Sequence, residues 1–171
     1  MATDRYRIIA AYAGTGKTTF AAMYPEIAID FVTMQYKYYL EPDDSSNVTE
    51  TSKANPNNVM RWEWPFNYVE AIRSLLNETN KILLIPSDSF VLELLRYENI
   101  PYTLCYPRRD AKDVYRRRFV DRGNTERFLA IFIDEWDSFL DSLESDPSSS
   151  RIIMEPHQFL CDVIDIQTYY G

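Results

Sequence analysis

Five short apolar runs punctuate the chain: Ile8-Ile9-Ala10-Ala11, Ile27-Ala28-Ile29-Asp30-Phe31, Ile82-Leu83-Leu84-Ile85, Tyr102-Thr103-Leu104-Cys105-Tyr106 and Ile152-Ile153-Met154. Most of their positions are consecutively apolar, with no strict alternation, which suits strands covered on both faces. Between them the spacing of apolar residues predicts helices over 17–23, 68–76, 89–97, 111–121, 126–143 and 157–166. Helices between successive strands imply parallel pairing through crossovers, and hence an α/β layered domain. Pro86, Pro107 and Pro156 follow strands and stop the ladder at the edge where such domains place ligands.

The pattern breaks in one place. The crossover from Val32 to Asn80 is far longer than the dozen or so residues a plain crossover needs. An inserted lobe over about 32–80 is expected, beginning with an exposed loop at 41–58, which is rich in Asp, Ser, Asn and Pro. The 171 residues otherwise read as one domain, with 46% hydrophobic content sufficient for a substantial core. A net charge of -8 disfavours a surface built for nucleic acid or anionic lipid, so neither partner is expected. Cys105 and Cys161 lie in apolar runs without metal-type spacing and read as small buried hydrophobes in a reducing compartment. With no long apolar segment for export or spanning, a cytoplasmic protein is expected.

Between the first run and the first helix stands Ala11-Tyr12-Ala13-Gly14-Thr15-Gly16-Lys17-Thr18. A loop that cradles phosphate must turn backbone N–H groups inward, which glycines at 14 and 16 permit. Lys17 would meet the β/γ oxygens and Thr18 would ligate Mg²⁺. Ala13, Gly14, Thr15, Gly16, Lys17, Thr18 and Thr19 are therefore the expected nucleotide-binding residues. Ala11 stands where many such loops carry their first glycine. The plainer alternative is a turn whose glycines serve only the chain path.

Two acidic sites compete for the second half of nucleotide chemistry. Ala130-Ile131-Phe132-Ile133-Asp134-Glu135 looks like the strand of a motor-type ATPase ending in its acidic pair. However, Phe128, Ile131, Phe132, Trp136, Phe139, Leu140 and Leu143 repeat at helical spacing straight across it, and Gly123-Asn124-Thr125 supplies a break and cap beforehand. A helix is the better reading. The other site is Ser87-Asp88 after the third apolar run, where Asp88 is a candidate metal-side carboxylate as well as a helix cap. Asp30 ends the second run at the same edge and could hold or deprotonate an acceptor; the bland reading is a strand end.

Arg108, Arg109, Arg116, Arg117, Arg118 and Arg122 concentrate positive charge in an otherwise acidic chain. Guanidinium groups closing over a transferring phosphoryl group stabilise its spreading charge, which makes Arg118 and Arg122, on one helical face, catalytic candidates. The competing reading is a solvated helix whose arginines pair with Asp110, Asp113 and Asp121. In the inserted lobe, Arg61, Trp62, Trp64, Phe66, Tyr68 and Arg73 could stack on a base and hold a phosphate, or pack as core.

The loop at 11–18, Asp30, the insertion and the stretch from Tyr106-Pro107-Arg108-Arg109 through Arg122-Gly123-Asn124 together resemble the P-loop nucleoside and nucleoside-monophosphate kinases, of adenylate-kinase or deoxynucleotide-kinase type. The resemblance implies a three-layer P-loop fold with a five-stranded parallel sheet in the order 2-3-1-4-5, a helical acceptor-side insertion and an Arg-rich lid over about 108–124. It also implies ATP and Mg²⁺ at the loop and a small-molecule acceptor under the insertion. Pro86-Ser87-Asp88-Ser89 replaces the Asp-Gly-x-Pro-Arg signature of adenylate kinases, and the arm has no zinc cysteines, so the acceptor stays open. ATP-dependent phosphoryl transfer, with Lys17, Asp30, Arg118 and Arg122 in catalytic roles and Thr18 and Asp88 at the metal, is the leading expectation. Its alternatives are ATP hydrolysis using Asp134-Glu135, or nucleotide binding without catalysis.

Overall fold

The computed structural model describes residues 5–39 and 59–170; the polar stretch expected as a loop at 41–58 lies outside them. Five strands form one parallel sheet: β1 (Ile8–Ala11), β2 (Ala28–Asp30), β5 (Ile82–Pro86), β6 (Thr103–Pro107) and β7 (Arg151–Met154). Two further strands, β3 (Tyr38–Tyr39) and β4 (Val59–Met60), pair antiparallel within the insertion. The sheet runs β2-β5-β1-β6-β7. This numbering differs from 2-3-1-4-5 because the insertion contributes β3 and β4; with that pair set aside, the succession is second, third, first, fourth, fifth.

Consecutive apolar positions form strands here because both faces of the sheet are covered. Ile8, Ala10, Leu83, Ile85, Leu104 and Tyr106 point to one face, where α3 (Phe66–Glu78), α4 (Ser89–Tyr97), α5 (Lys112–Asp121) and α7 (Trp136–Glu144) pack. Ile9, Ala11, Ile82, Leu84 and Cys105 point to the other, against α1 (Lys17–Met23) and α8 (Leu160–Val163). The result is an α/β fold with a central parallel sheet, as the alternation of strand and helix requires. Among the described residues no helix is long and apolar enough to cross a membrane.

Local departures from the sequence pattern have identifiable causes. The expected helix over 126–143 is helical but not uniform: α6 (Glu126–Leu129) passes into a π-helical segment, Ala130–Asp134, before α7. There the Glu135 amide donates to the Ala130 carbonyl at 3.2 Å, five residues back, and the Tyr12 hydroxyl donates to the Phe132 carbonyl at 2.6 Å. At the end of the chain the expected helix over 157–166 shrinks to α8 plus a 3₁₀ turn, Ile166–Tyr169. The residues before α8 are drawn into contacts with the loop at 11–18 instead, and Ile164 leaves helical geometry with ψ 120°. Pro86 and Pro107 prove to be the last residues of their strands, pairing in register with Ala11 and Met154.

Candidate functional site

The loop leaves β1 at Ala11 and enters α1 at Lys17. Two residues make its path possible. Gly14 has φ +79° and Gly16 φ +94°, both in the left-handed region that costs other L-residues roughly 1–2 kcal/mol. Close packing reinforces the requirement: a Cβ on Gly14 would lie 2.8 Å from Cε1 of Phe119, and one on Gly16 would lie 3.2 Å from Cδ1 of Phe159. Thr15 is fully buried, its hydroxyl donating to the Tyr12 carbonyl at 2.7 Å, while the Leu160 amide donates to the Thr15 carbonyl at 2.9 Å.

Lys17 is almost wholly buried, and its ammonium donates to the Ala11 carbonyl at 3.0 Å and the Tyr12 carbonyl at 3.4 Å. A buried cation must be compensated, and here the loop's own carbonyls do so. Next to it, the exposed Thr18 hydroxyl donates to Oδ2 of Asp30 at 2.7 Å, which brings the end of β2 onto the start of α1. This pair is the hard-oxygen donor set that Mg²⁺ favours, since that ion typically takes one or two carboxylates and completes its shell with water and substrate phosphate. The Thr19 side chain is exposed on the same turn.

Asp88 was expected beside the metal as well, but its two oxygens are engaged elsewhere. Oδ1 accepts from the amides of Phe90 and Val91, capping α4, and Oδ2 pairs with Lys37 at 3.2 Å. The structure thus unites Thr18 with Asp30 and gives Asp88 to α4 and to the insertion.

The arginines behave differently from a single closing lid. Arg118 donates to the Gly14 carbonyl at 3.0 Å and to the carbonyls of Pro156 and Gln158 at 3.1 and 3.2 Å. Its guanidinium lies 3.8 Å from the Phe159 ring centroid and 4.5 Å from that of Tyr115. All these contacts fasten Arg118 to the outer wall of the glycine loop. Arg122 bonds Oδ1 of Asn124 at 2.9 Å and rests on Phe119 and Phe128. Arg109 engages Asp137, Asp141 and Glu144 on α7, and Arg108 engages Asp110 and Glu155. Arg116 and Arg117 are exposed.

A cavity of about 240 Å³ opens directly against the loop, where Ala11 and Ala13 meet Ser87, Asp88, Lys37 and Arg127. Lys37 comes from α2 (Met34–Lys37) in the insertion and Arg127 from α6. Tyr38, Ile131, Phe132 and Phe139 supply its apolar wall, two of them carried by the π-helical segment. Such widened turns recur at functional sites because they redirect side chains that a regular helix would point elsewhere. Neither Lys37 nor Arg127 stands out in the sequence. The only local hint is their cationic character beside the insertion and the arm.

Compared with protein-family models and with curated proteins, the chain finds no match.

Three buried acids around the loop, Tyr12, Tyr115 and Cys105, are held in their neutral forms. Burial, reinforced by the nearby Tyr115 phenol, raises the Tyr12 pKa far above that of an ordinary tyrosine, so Tyr12 stays a donor to Phe132. Burial pushes the Tyr115 phenol and the Cys105 thiol each up to about 12, with Lys17 opposing the shift at Cys105. Asp134 and Glu135 are exposed at the junction of the π-helical segment and α7, on no strand end, so the arrangement of a motor ATPase is not formed. In the insertion Trp64 and Tyr68 are core, the latter bonding the Phe31 carbonyl, whereas Trp62 and Phe66 are exposed.

Proposed function

We propose that the chain is a P-loop phosphotransferase that moves a phosphoryl group from ATP to a small acceptor, a nucleotide or nucleoside first among them. The observation that carries this reading is the cavity shared by the glycine loop, Lys37 and Arg127. A hydrolase needs only water at that place. A transferase needs a walled space in which an acceptor can lie against the transferring phosphoryl group with water kept out. Arg127, with Lys37 and its partner Asp88 also on the lining, fits the phosphate of an acceptor, and the aromatic wall of Tyr38, Phe132 and Phe139 fits a planar ring.

In this reading Lys17 exchanges the carbonyls of Ala11 and Tyr12 for the β/γ oxygens of ATP, which relieves its burial without losing hydrogen bonds. Amides of the loop, held in shape by Gly14, Gly16 and Arg118, bind the same phosphates. Thr18 and Asp30 would hold Mg²⁺, whose chemistry is to neutralise charge on the bridging oxygens. Lys37 orients the acceptor from the insertion and Arg127 from α6. The Asp88 carboxylate keeps Lys37 in place.

The test is an ADP-release screen across nucleoside monophosphates, nucleosides and small hydroxylated metabolites. Acceptor-stimulated turnover that disappears in Lys17→Ala is the expected result. No acceptor-stimulated turnover, or turnover indifferent to that substitution, rejects the proposal.

A further inference from the structure

A second cleft, of about 370 Å³, lies between α4 and α7 and shares Ser87 and Phe139 with the cavity beside the glycine loop. Its lining is unlike that of the first. Ser89 comes from α4, and Ser138 and Ser142 come from successive turns of α7. Arg96 is present but already neutralised by Asp146, while Glu135 has no ion-pair partner among the described residues. The charge balance is therefore slightly negative, which suits hydroxyls and amines and opposes a second phosphate.

Small polar residues on helices do not by themselves make a site. Ser87 is what points to a ligand. It follows β5 directly, is only 6% exposed, and its hydroxyl makes no hydrogen bond among the described residues. It lines both spaces at once. That hydroxyl borders both spaces, so its donor and its acceptor capacity are open to a group bound there.

We infer that the two spaces are one bent acceptor site. The acceptor's reacting end lies between the glycine loop, Lys37 and Arg127; its neutral, hydroxyl- or amine-bearing body crosses Ser87 and enters the serine-lined cleft. This rests on the phosphotransferase reading and adds to it a specificity element. Ser87 discriminates by hydrogen bonding, and the space beside Ser142 discriminates by size.

Two substitutions test the inference. Ser142→Leu, on an exposed helix position, fills the cleft; Ser87→Ala removes the central hydroxyl without adding bulk. Steady-state kinetics with AMP, GMP, CMP, UMP and dTMP as separate acceptors would be measured for both variants, together with thermal midpoints. For the best acceptor, KM is expected to rise at least tenfold in Ser142→Leu and several-fold in Ser87→Ala, with KM for ATP and the midpoints unchanged. Turnover with acceptor KM unchanged in both variants overturns the bent site while leaving the phosphotransferase reading standing. No turnover with any acceptor in the wild-type protein overturns both. If Ser142→Leu fails to fold, Ser87→Ala decides alone.

Discussion

Two residues of the loop, Gly14 and Gly16, set its path by having no side chain. At Gly14 an added Cβ meets both an unfavourable φ and the Phe119 ring at 2.8 Å, so relief would require the ring to move within the packed cluster under the arm. Gly14→Ala is expected to lose about 2 kcal/mol or more of stability, summing left-handed strain with overpacking, as read from urea unfolding midpoints. A loss below roughly 0.5 kcal/mol would mean that the loop does not keep this path. Asp30 acts through Thr18. Asp30→Asn keeps an acceptor oxygen but removes the charge behind the hydroxyl, and is expected to raise the Mg²⁺ concentration needed for half-maximal ATP turnover by about 10- to 100-fold. An unchanged Mg²⁺ requirement would assign Asp30 to the strand end alone. The loop was legible in the sequence because its chemistry is local: eight consecutive residues hold it. Lys37 and Arg127 were not, since each is an ordinary surface-type cation whose neighbour across the cavity is supplied by a different element far along the chain.

Elements were legible where one physical rule controls them. Runs apolar at consecutive positions became sheet strands because helices cover both faces, and α1 and α4 begin and end where the spacing of apolar residues places them. The π-helical segment has no signature in the sequence, because the apolar residues around it also fit one continuous helix, yet it carries Ile131 and Phe132 to the cavity wall. The last helix is shorter than its apolar spacing predicts because 155–159 packs against the glycine loop and holds Arg118. Asp88 shows how one residue serves two elements, capping α4 and pairing with Lys37. These roles separate experimentally. Asp88→Asn keeps the cap and loses the charge, so stability should stay within about 0.5 kcal/mol while acceptor KM changes. Asp88→Ala should lose about 1 kcal/mol in addition. Equal stability of the two variants in urea unfolding would remove the cap from the account.

Across the whole molecule, the glycine loop and the sheet core are one mechanical unit, and the two cysteines report on it. Cys105 sits on β6 in the core between sheet and α1, and its carbonyl accepts the Tyr12 amide where the loop begins. Burial pushes its thiol to about 12, whereas Cys161 is only partly buried on α8. Because the thiolate is the nucleophile, a group with its pKa raised to about 12 is almost wholly protonated and unreactive at pH 8, and its reactivity would grow only as pH climbs toward that value. Alkylation of Cys105 near neutrality must therefore pass through an opened form in which the thiol regains an ordinary pKa. Partial burial and the neighbouring Asp162 also raise the Cys161 thiol, so with an aromatic disulfide reagent at pH 8 this equivalent is expected to react first, more slowly than a free cysteine, and Cys105 in a much slower phase governed by opening of the core. Nucleotide that binds only the closed form shifts that opening by RT ln(1 + [L]/Kd), so MgATP at 100 times its Kd should slow the second phase about 100-fold, and Lys17→Ala should abolish the protection. Two equivalents reacting at once would contradict the packing around β6. A slow phase indifferent to MgATP, in a protein whose second thiol is protected, would instead show that the glycine loop does not hold nucleotide in the folded state.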